Sequence, residues 1–518
     1  MIKTASEKIY NEKLAALNEG ITFNPLQERV INSDNPSMII AHPVGSGKTL
    51  SGIGKFEKSR EKGLANKALV VTPAALRENF ATEGVKKFTN SKANVVGNKG
   101  EIKKGVAHNI DPNADYNILS YEMFRKDPER YLRESGADTV IADEFHRTRN
   151  NSTSTADSFL GSRDKYKNFI GLTGSVLNNQ PSDIVSQVNI ATNGNHSLGK
   201  NRTNFNETYL KRSDSRKYRG LRDERKPIVG INHSKFLKKE LDNVIDYADI
   251  DDVRDIAKIP HKDLSYHKVP ITKEQLKMYK GLIEENPEMV KLVYNKKLET
   301  FNDAEMAKAF NGLIESRKLM NSIGSIKPGI SLTDSAKITP KTKRVLDDLE
   351  EHLSKTKDGQ GILLTNIING GTDVLEAGLK DRGIDYGLFI GKGNKGITEE
   401  TRQQAVKDYK DRKKRVMIVS GAGAEGLSLN DTTWEATLDP HYNPERMNQM
   451  EARGIRSYGL MHRPEKDRRV SVNRYVSTIP KKLGIIKSPM KTPDEIIYNM
   501  AKNKEEQNKV LLDLLRRN

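Results

Sequence analysis

Two stretches of this chain place charged side chains where apolar runs end, and both suit phosphate chemistry. The run Met38-Ile39-Ile40-Ala41 leads into His42-Pro43-Val44-Gly45-Ser46-Gly47-Lys48-Thr49, and a helical pattern follows. A glycine-rich loop between a strand and a helix can wrap phosphate oxygens with backbone N–H groups, because Gly45 and Gly47 on either side of Ser46 hold no Cβ in the way. Lys48 would set a cation on the β- and γ-phosphates of ATP, and Thr49 would offer its hydroxyl to Mg²⁺. The second stretch, Thr139-Val140-Ile141-Ala142, ends in Asp143-Glu144-Phe145-His146. Here Asp143 would hold Mg²⁺ through water, while Glu144 would orient and deprotonate the attacking water. Upstream, Gln27 closes the segment Phe23-Asn24-Pro25-Leu26-Gln27 and has an amide able to read both edges of an adenine.

These groups need a scaffold that brings strand ends together. Short apolar runs alternate with longer helical patterns, the rhythm of βα repeats around a parallel sheet. The first set is 38–41, 68–72, 117–120, 139–142 and 169–172, and the second is 362–365, 386–390, 416–420 and 435–438. Residues 195–340 between them are polar and helical in pattern, and their first part is dense in Lys and Arg, from Lys200 to Lys226. The expected organisation is an α/β chain with an N-terminal helical extension over 1–20, a first lobe over 21–194, a helical basic insertion and linker over 195–340, a second lobe over 341–485 and a C-terminal helix over 486–518. Thr492-Pro493-Asp494-Glu495 predicts the start of that last helix, with Thr492 as N-cap and Glu495 closing a capping box.

Composition narrows the partners. The 518 residues carry 87 Lys+Arg against 69 Asp+Glu, a formal charge of +18, and no cysteine. Zero cysteine excludes disulfide scaffolds, thiolate zinc sites and cysteine nucleophiles. No apolar run approaches the roughly 18–20 residues that span a bilayer, and the first residues lack the apolar core of a secretory signal, so an intracellular protein is expected. The excess of positive charge points to a polyanion such as nucleic acid, with a solvated basic surface as the plain alternative.

The motifs then resemble a family. Asp143-Glu144-Phe145-His146 resembles the DEAH-type box of helicase superfamily two, and Leu172-Thr173-Gly174-Ser175-Val176-Leu177-Asn178-Asn179 resembles the coupling motif of its Swi/Snf-related branch. Val71-Thr72-Pro73-Ala74 and Leu119-Ser120-Tyr121-Glu122 are similar to first-lobe motifs that touch the DNA backbone. Ser420-Gly421-Ala422-Gly423-Ala424-Glu425-Gly426-Leu427, Asp439-Pro440-His441-Tyr442-Asn443-Pro444 and the Gln449, Arg453, Arg456 spacing resemble three second-lobe motifs, in order. That spacing would put Gln449, Arg453 and Arg456 on one helix face. The chain departs from the cellular remodellers at His42, at Phe145 in place of Ala and at Ser457-Tyr458-Gly459. Its tail is more similar to nucleoside triphosphatases and helicases of phages and large DNA viruses, which implies an infected host cell or a virion as its setting.

The resemblance implies two RecA-like lobes with ATP and Mg²⁺ in the cleft between them. Lys48, Thr49, Asp143 and Glu144 would act from lobe one, with Arg453 and Arg456 as phosphate-neutralising groups from lobe two and Gly426 beside the nucleotide. Thr173, Gly174 and Ser175 would relay phosphate status to the nucleic-acid side. Contacts to DNA would fall at Thr72, Pro73, Ser120, Tyr121, Thr365, Asn366, Ser420 and Gly421, mostly to phosphates. The function implied is ATP-driven translocation on double-stranded or branched DNA. The alternatives are a strand-separating DNA or RNA helicase, a non-catalytic nucleic-acid-binding component, and an ATPase acting on protein.

Overall fold

A computed structural model describes residues 17–18, 20–97, 109–149, 154–196, 198–199, 201–215, 226–285, 287–294, 313–391, 394–421, 427–480 and 490–516. Gly426, its neighbour Glu425, most of the N-terminal extension and the heart of the basic segment, Arg216 to Arg225, lie outside the described residues. The chain divides into two compact units. Unit 1 comprises residues 1–211, 230–256 and 508–518, and unit 2 comprises 212–229 and 257–507.

In unit 1 the strands are β1 (Met38–Ala41), β2 (Ala68–Thr72), β3 (Ala93–Val95), β4 (Tyr116–Ser120), β5 (Thr139–Asp143), β6 (Asn168–Thr173) and β9 (Ile245–Tyr247). They form one sheet in the order β3-β4-β2-β5-β6-β1-β9, and every pairing is parallel. A parallel sheet covered on both faces needs apolar residues facing both ways, which explains the unbroken apolar runs. The core includes Ile40, Val70, Ile118, Ile141 and Leu172, joined by Ile53 and Phe56 of the helix that follows the phosphate loop. The register sets Ala41 beside Thr173, Asp143 beside Leu172 and Val71 beside Ala142. The carboxyl ends of β2, β5, β6 and β1 therefore lie side by side, the edge where open α/β sheets bind ligands.

Between β6 and β9 in sequence, β7 (Leu210–Arg212) and β8 (Ile228–Ile231) form a two-stranded ribbon. Unit 2 contains β10 (His261–Pro270), β11 (Gly361–Thr365), β12 (Tyr386–Phe389), β13 (Val416–Ser420), β14 (Trp434–Thr437) and β15 (Arg469–Thr478). These form a second sheet, β10-β15-β14-β11-β13-β12, again wholly parallel. Thr365 pairs with Ser420, so both stand at the carboxyl edge. The last helix, Pro493–Leu515, opens as expected: Glu495 N–H donates to Thr492 Oγ1 at 3.1 Å, and Thr492 N–H donates to Glu495 Oε2 at 2.9 Å.

The segment 195–340 is not purely helical. It supplies β9 to the first sheet and β10 to the second, so each sheet takes one strand from the expected insertion. β10 is an edge strand with most of its side chains exposed or half-exposed. Its polar composition, His261-Lys262-Asp263-Leu264-Ser265, therefore shows no buried-strand signature.

Candidate functional site

The phosphate loop leaves β1 and feeds helix α2 (Lys48–Glu61); upstream, α1 (Pro25–Ile31) carries Gln27. Gly45 and Gly47 adopt φ of +91° and +81°, a region that L side chains enter at a steric cost. Gly47 caps α2 without any side-chain hydrogen bond, leaving the first N–H groups of a 14-residue helix outside the intrahelical ladder. The positive end of the helix dipole favours an anion there. Lys48 Nζ donates to the carbonyl of Pro43 at 3.1 Å, folding its ammonium back over the loop. Ser46 is buried, and its Oγ has no hydrogen-bond partner among the described residues.

Gln27 sits against the phosphate loop, and one end of its amide is engaged. Its Oε1 accepts from Asn24 N–H at 2.9 Å, and Asn24 Oδ1 accepts from Gln27 N–H at 3.0 Å, a reciprocal capping box. Gln27 Nε2 lies against Gly47, where an added Cβ would collide with it. The amide therefore turns only its NH₂ end to the loop, not both edges.

The acid pair ends β5. Thr72 Oγ1 donates to Asp143 Oδ2 at 3.1 Å, and Tyr121 OH donates to the Asp143 carbonyl at 2.6 Å. Burial, reinforced by the adjacent Glu144 charge, pushes the Asp143 carboxyl up to about 6, with Lys48 and Thr72 opposing. Glu144 follows with φ +51° and ψ +47°. A non-glycine residue in this left-handed region stores strain of about 1–3 kcal/mol, and that strained backbone carries the carboxylate expected to act as base. Its Oε2 lies 3.3 Å from His146 Nδ1, which lies 3.4 Å from Thr173 Oγ1. Thr173 in turn donates to Ser175 O at 2.6 Å and accepts from Ser175 N–H at 3.1 Å. A Cβ at Gly174 would stand 3.7 Å from Lys48 Nζ. A continuous polar path thus runs from Glu144 through His146 to Thr173 and Ser175, next to the loop lysine. His146 is the member that motif reading assigned no role.

Phe145 also finds its reason here. The ring is fully buried, 4.8 Å from the Phe169 ring, and it occupies space that a Cβ on Gly171 would need. A large residue after the acid pair is matched by a missing side chain on β6.

In unit 2 the Gln449-to-Arg456 segment departs from expectation. The helix Pro444–Glu451 ends with Ala452 as its C-cap, so Arg453 and Arg456 lie in the turns beyond it and do not share a helix face with Gln449. Leu429 N–H donates to Arg453 O at 3.0 Å, and Arg456 Nη2 donates to Leu427 O at 2.5 Å. Gly454, between the arginines, packs against the Glu435 carboxyl with no room for a Cβ.

The residues expected to meet DNA divide into two groups. Thr72, Ser120, Tyr121 and Thr365 are buried, and their hydroxyls are engaged. Thr72 and Tyr121 hold Asp143 as described, Ser120 Oγ accepts from Met123 N–H at 3.3 Å, and Thr365 Oγ1 donates to Asp439 Oδ1 at 2.5 Å. Pro73 is buried as well. These side chains brace strand ends and do not present hydroxyls outward. Asn366 and Gly421 are half-exposed; Asn366 lines a cavity with Ser420, whose buried Oγ has no hydrogen-bond partner among the described residues, and Gly421 lies against the Asn366 side chain. Arg317, His441 and Arg446 line the same cavity. Asp439 organises it by accepting from Asn366 N–H at 2.9 Å and from Arg317 Nη2 at 3.4 Å. Burial, with Arg446 next, lowers His441 to about 4, so its ring is neutral at physiological pH. Two guanidinium groups, a neutral imidazole, an amide and a hydroxyl suit a phosphodiester oxygen. Arg317 and Arg446 belong to no quoted motif position, so only the fold brings them in.

Comparison with known proteins identifies the family and several relatives. The model of the SNF2-related domain matches residues 14–325, and that of the helicase conserved C-terminal domain matches 344–458. A protein of Acanthamoeba polyphaga mimivirus named "Putative ATP-dependent RNA helicase" is 22% identical over 386 residues, covering 72% of this chain and 76% of its own. Arabidopsis thaliana "Protein CHROMATIN REMODELING 25" is 27% identical over 172 residues, and rice "DNA repair and recombination protein RAD54" is 27% identical over 177 residues. The matches cover 31% and 32% of this chain, and in both cases only 18% of the plant protein. Among solved structures, the Pyrococcus furiosus Hef helicase domain aligns with a TM-score of 0.49 at 15% identity, covering 92% of this chain and 97% of its own. The Sulfolobus solfataricus SWI2/SNF2 ATPase core in complex with dsDNA aligns at 0.37 and 17%, covering 88% of each chain.

Proposed function

The chain belongs to the SNF2-related domain family of helicase-type, ATP-hydrolysing motors, and from that premise we propose that it translocates on DNA, with double-stranded or branched DNA as its track. The observation that carries the reading is the grouping at one sheet edge of the open α2 N-terminus, Lys48, Asp143 and the Glu144–His146–Thr173 path. Lys48 would neutralise the β- and γ-phosphates, Glu144 would take the proton of the attacking water, and Thr173 with Ser175 would sense the leaving phosphate.

The donor set also fits Mg²⁺. A half-buried carboxylate pushed toward protonation beside a second acid holds charge that a divalent cation would satisfy. Mg²⁺ commonly takes one or two carboxylates and completes its shell with water and substrate phosphates. Asp143 and the Thr49 hydroxyl would hold it, and it would supply charge neutralisation at the phosphate oxygens. From unit 2, Arg453 and Arg456 would stabilise the transferring phosphoryl group, with Gln449 alongside, an effect worth about 10³–10⁵ in rate for groups of this kind.

The cavity of Arg317, Asn366, Ser420, His441 and Arg446 would bind the sugar-phosphate backbone without reading bases. The DNA preference draws support from the plant relatives named for chromatin remodelling and for DNA repair and recombination. The mimivirus relative's name supports RNA as the second reading, and its source supports a viral setting. Steady-state ATP hydrolysis measured with no polymer, duplex DNA, single-stranded DNA, branched DNA and RNA distinguishes them. Stimulation by duplex or branched DNA at least equal to that by single strands is expected, abolished by Lys48→Ala. Stimulation by RNA alone would overturn the DNA reading.

A further inference from the structure

The first residue of the phosphate loop is a histidine where glycine or alanine is usual, and the fold gives it a partner from more than two hundred residues away. His42 is fully buried, and its Nε2 lies 2.7 Å from Asp246 Oδ1 on β9. The same carboxylate receives Arg29 from α1, Nε to Oδ2 at 2.8 Å and Nη2 to Oδ1 at 2.6 Å, and Arg29 also reaches the Tyr247 carbonyl at 3.3 Å. A carboxylate only accepts, so the proton shared with His42 sits on Nε2 and leaves Nδ1 as a lone pair. That Nδ1 is buried and has no hydrogen-bond partner among the described residues.

Asp246 therefore touches both parts of unit 1 that face a nucleotide. Through Arg29 it fixes α1, the helix that presents Gln27 Nε2 to Gly47. Through His42 it fixes the point where the chain leaves β1 for the loop. β9 pairs with β1 in parallel and sets Ala41 beside Tyr247, so the carboxylate is carried on a strand bonded to the loop's own strand. We infer that Asp246 is a positioning residue for the nucleotide, acting through His42 on the phosphate loop and through Arg29 on Gln27, so that loop and base-side helix move as one body. The inference rests on the reading of this site as an ATPase centre.

Charges facing the ring come from three elements: Asp246 on β9, Arg29 on α1 and Lys48 at the start of α2. Burial lowers the His42 pKa below its ordinary value against the pull of Asp246, so the ring is neutral at physiological pH. Protonating Nδ1 would place a second cation near Lys48.

The test uses the full chain with duplex DNA, comparing wild type, Asp246→Asn, His42→Gln, His42→Ala and the double variant Asp246→Asn/His42→Ala. The readouts are KM for ATP, kcat, direct binding of a fluorescent ATP analogue, and the pH profile of KM. Outer partners of a site are typically worth about 10–100-fold. Asp246→Asn and His42→Ala should each raise KM and the analogue's Kd by about tenfold with a smaller change in kcat, and the double variant should be no worse than Asp246→Asn alone. His42→Gln keeps a donor toward Asp246 and should recover most of the affinity. The acid rise of KM should move to lower pH in Asp246→Asn, because the anion that favours the imidazolium is gone.

Multiplying effects in the double variant, or lowered melting temperatures with unchanged KM and pH profile, would overturn the proposal. If Asp246→Asn does not fold, His42→Gln against His42→Ala decides: equal KM for the two would overturn it. Lys48→Ala run alongside keeps the underlying reading separate, since hydrolysis that survives it would reject the ATPase site itself.

Discussion

At Glu144 and Gly47 a left-handed backbone decides what each residue can do. Glu144 holds its carboxylate from a left-handed backbone beside His146. Glu144→Gln should keep nucleotide binding, since no phosphate contact is removed, and lower kcat by about 10²–10⁴; single-turnover hydrolysis checks this. Gly47 combines a φ of +81° with direct contact to Gln27 Nε2. Gly47→Ala should raise KM for ATP well beyond the effect of Gln27→Ala, because it strains the loop and also displaces the amide. The placement of Lys48, Asp143 and Glu144 was legible in the sequence, since the strand and loop around them announce where they lie. His146 was written in the motif, yet its place between Glu144 and Thr173 depends on two strands meeting at one edge. Gln27 was legible as a residue but not in its engagement, because a capping box and a base-reading amide use the same atoms.

At the scale of elements, nine of the parallel strands could be read almost residue by residue, while β3, β9, β10 and the buried β15 were not. The run 386–390 became β12 at Tyr386–Phe389, and 416–420 became β13 unchanged. What failed were elements whose surroundings are not local. β10 reads as polar chain until β15 pairs with it along ten residues. The 195–340 segment looked like a helical insertion because the two strands it lends are short or exposed. The expectation of one helix face for Gln449, Arg453 and Arg456 failed at Glu451, where the helix stops.

Glu451 is also where unit 2 anchors that turn. It is fully buried, and Arg474 meets it with Nε and Nη2 at 2.7 Å each while Lys262 Nζ lies 2.6 Å away. Burial pushes the Glu451 carboxyl up, yet Arg474 and Lys262 together hold it below the usual range, so it stays an anion. Burial and the Glu451 charge push neighbouring Glu435 well above the usual carboxylate range. Glu451→Gln would leave two cations without their counter-charge and should cost about 3–5 kcal/mol. The chain has a single tryptophan, Trp434 on β14, so its fluorescence reports unfolding of unit 2, and the variant's transition should fall at lower urea.

The whole molecule carries a charge of +18, which acts through salt. Binding to DNA should weaken as salt rises, the logarithm of affinity falling by about 0.9 per phosphate neutralised for each unit of log salt. Arg446→Ala and Arg317→Ala should each lower that slope by about one contact across all sequences; fluorescence anisotropy at several salt concentrations measures it. Stability has its own acid limit. Burial pushes Asp246 up, but His42 and Arg29 pull its carboxyl down to about 2, below the ordinary 3.8. A lowered folded-state pKa gives stability that is complete above the unfolded pKa and is lost as pH falls through the folded one. The stability gap between wild type and Asp246→Asn should therefore hold above pH 4 and close toward pH 2, as thermal melts across that range would record.

One buried pair sets an order of events during synthesis. Lys341 Nζ lies 2.6 Å from Asp494 Oδ2, both side chains essentially without solvent contact, and the same oxygen accepts from Ser477 N–H at 2.9 Å. These partners are 153 residues apart in sequence. At a ribosomal pace of about 5–20 residues per second, roughly 8–30 s pass between their appearances. Throughout that interval Lys341 has no counter-charge to enter the core with and must stay hydrated. Unit 2 cannot seal around the helix that starts at Pro340 until the nascent chain has delivered Asp494. The elongating protein thus carries an unfinished second lobe until residue 494 has been added.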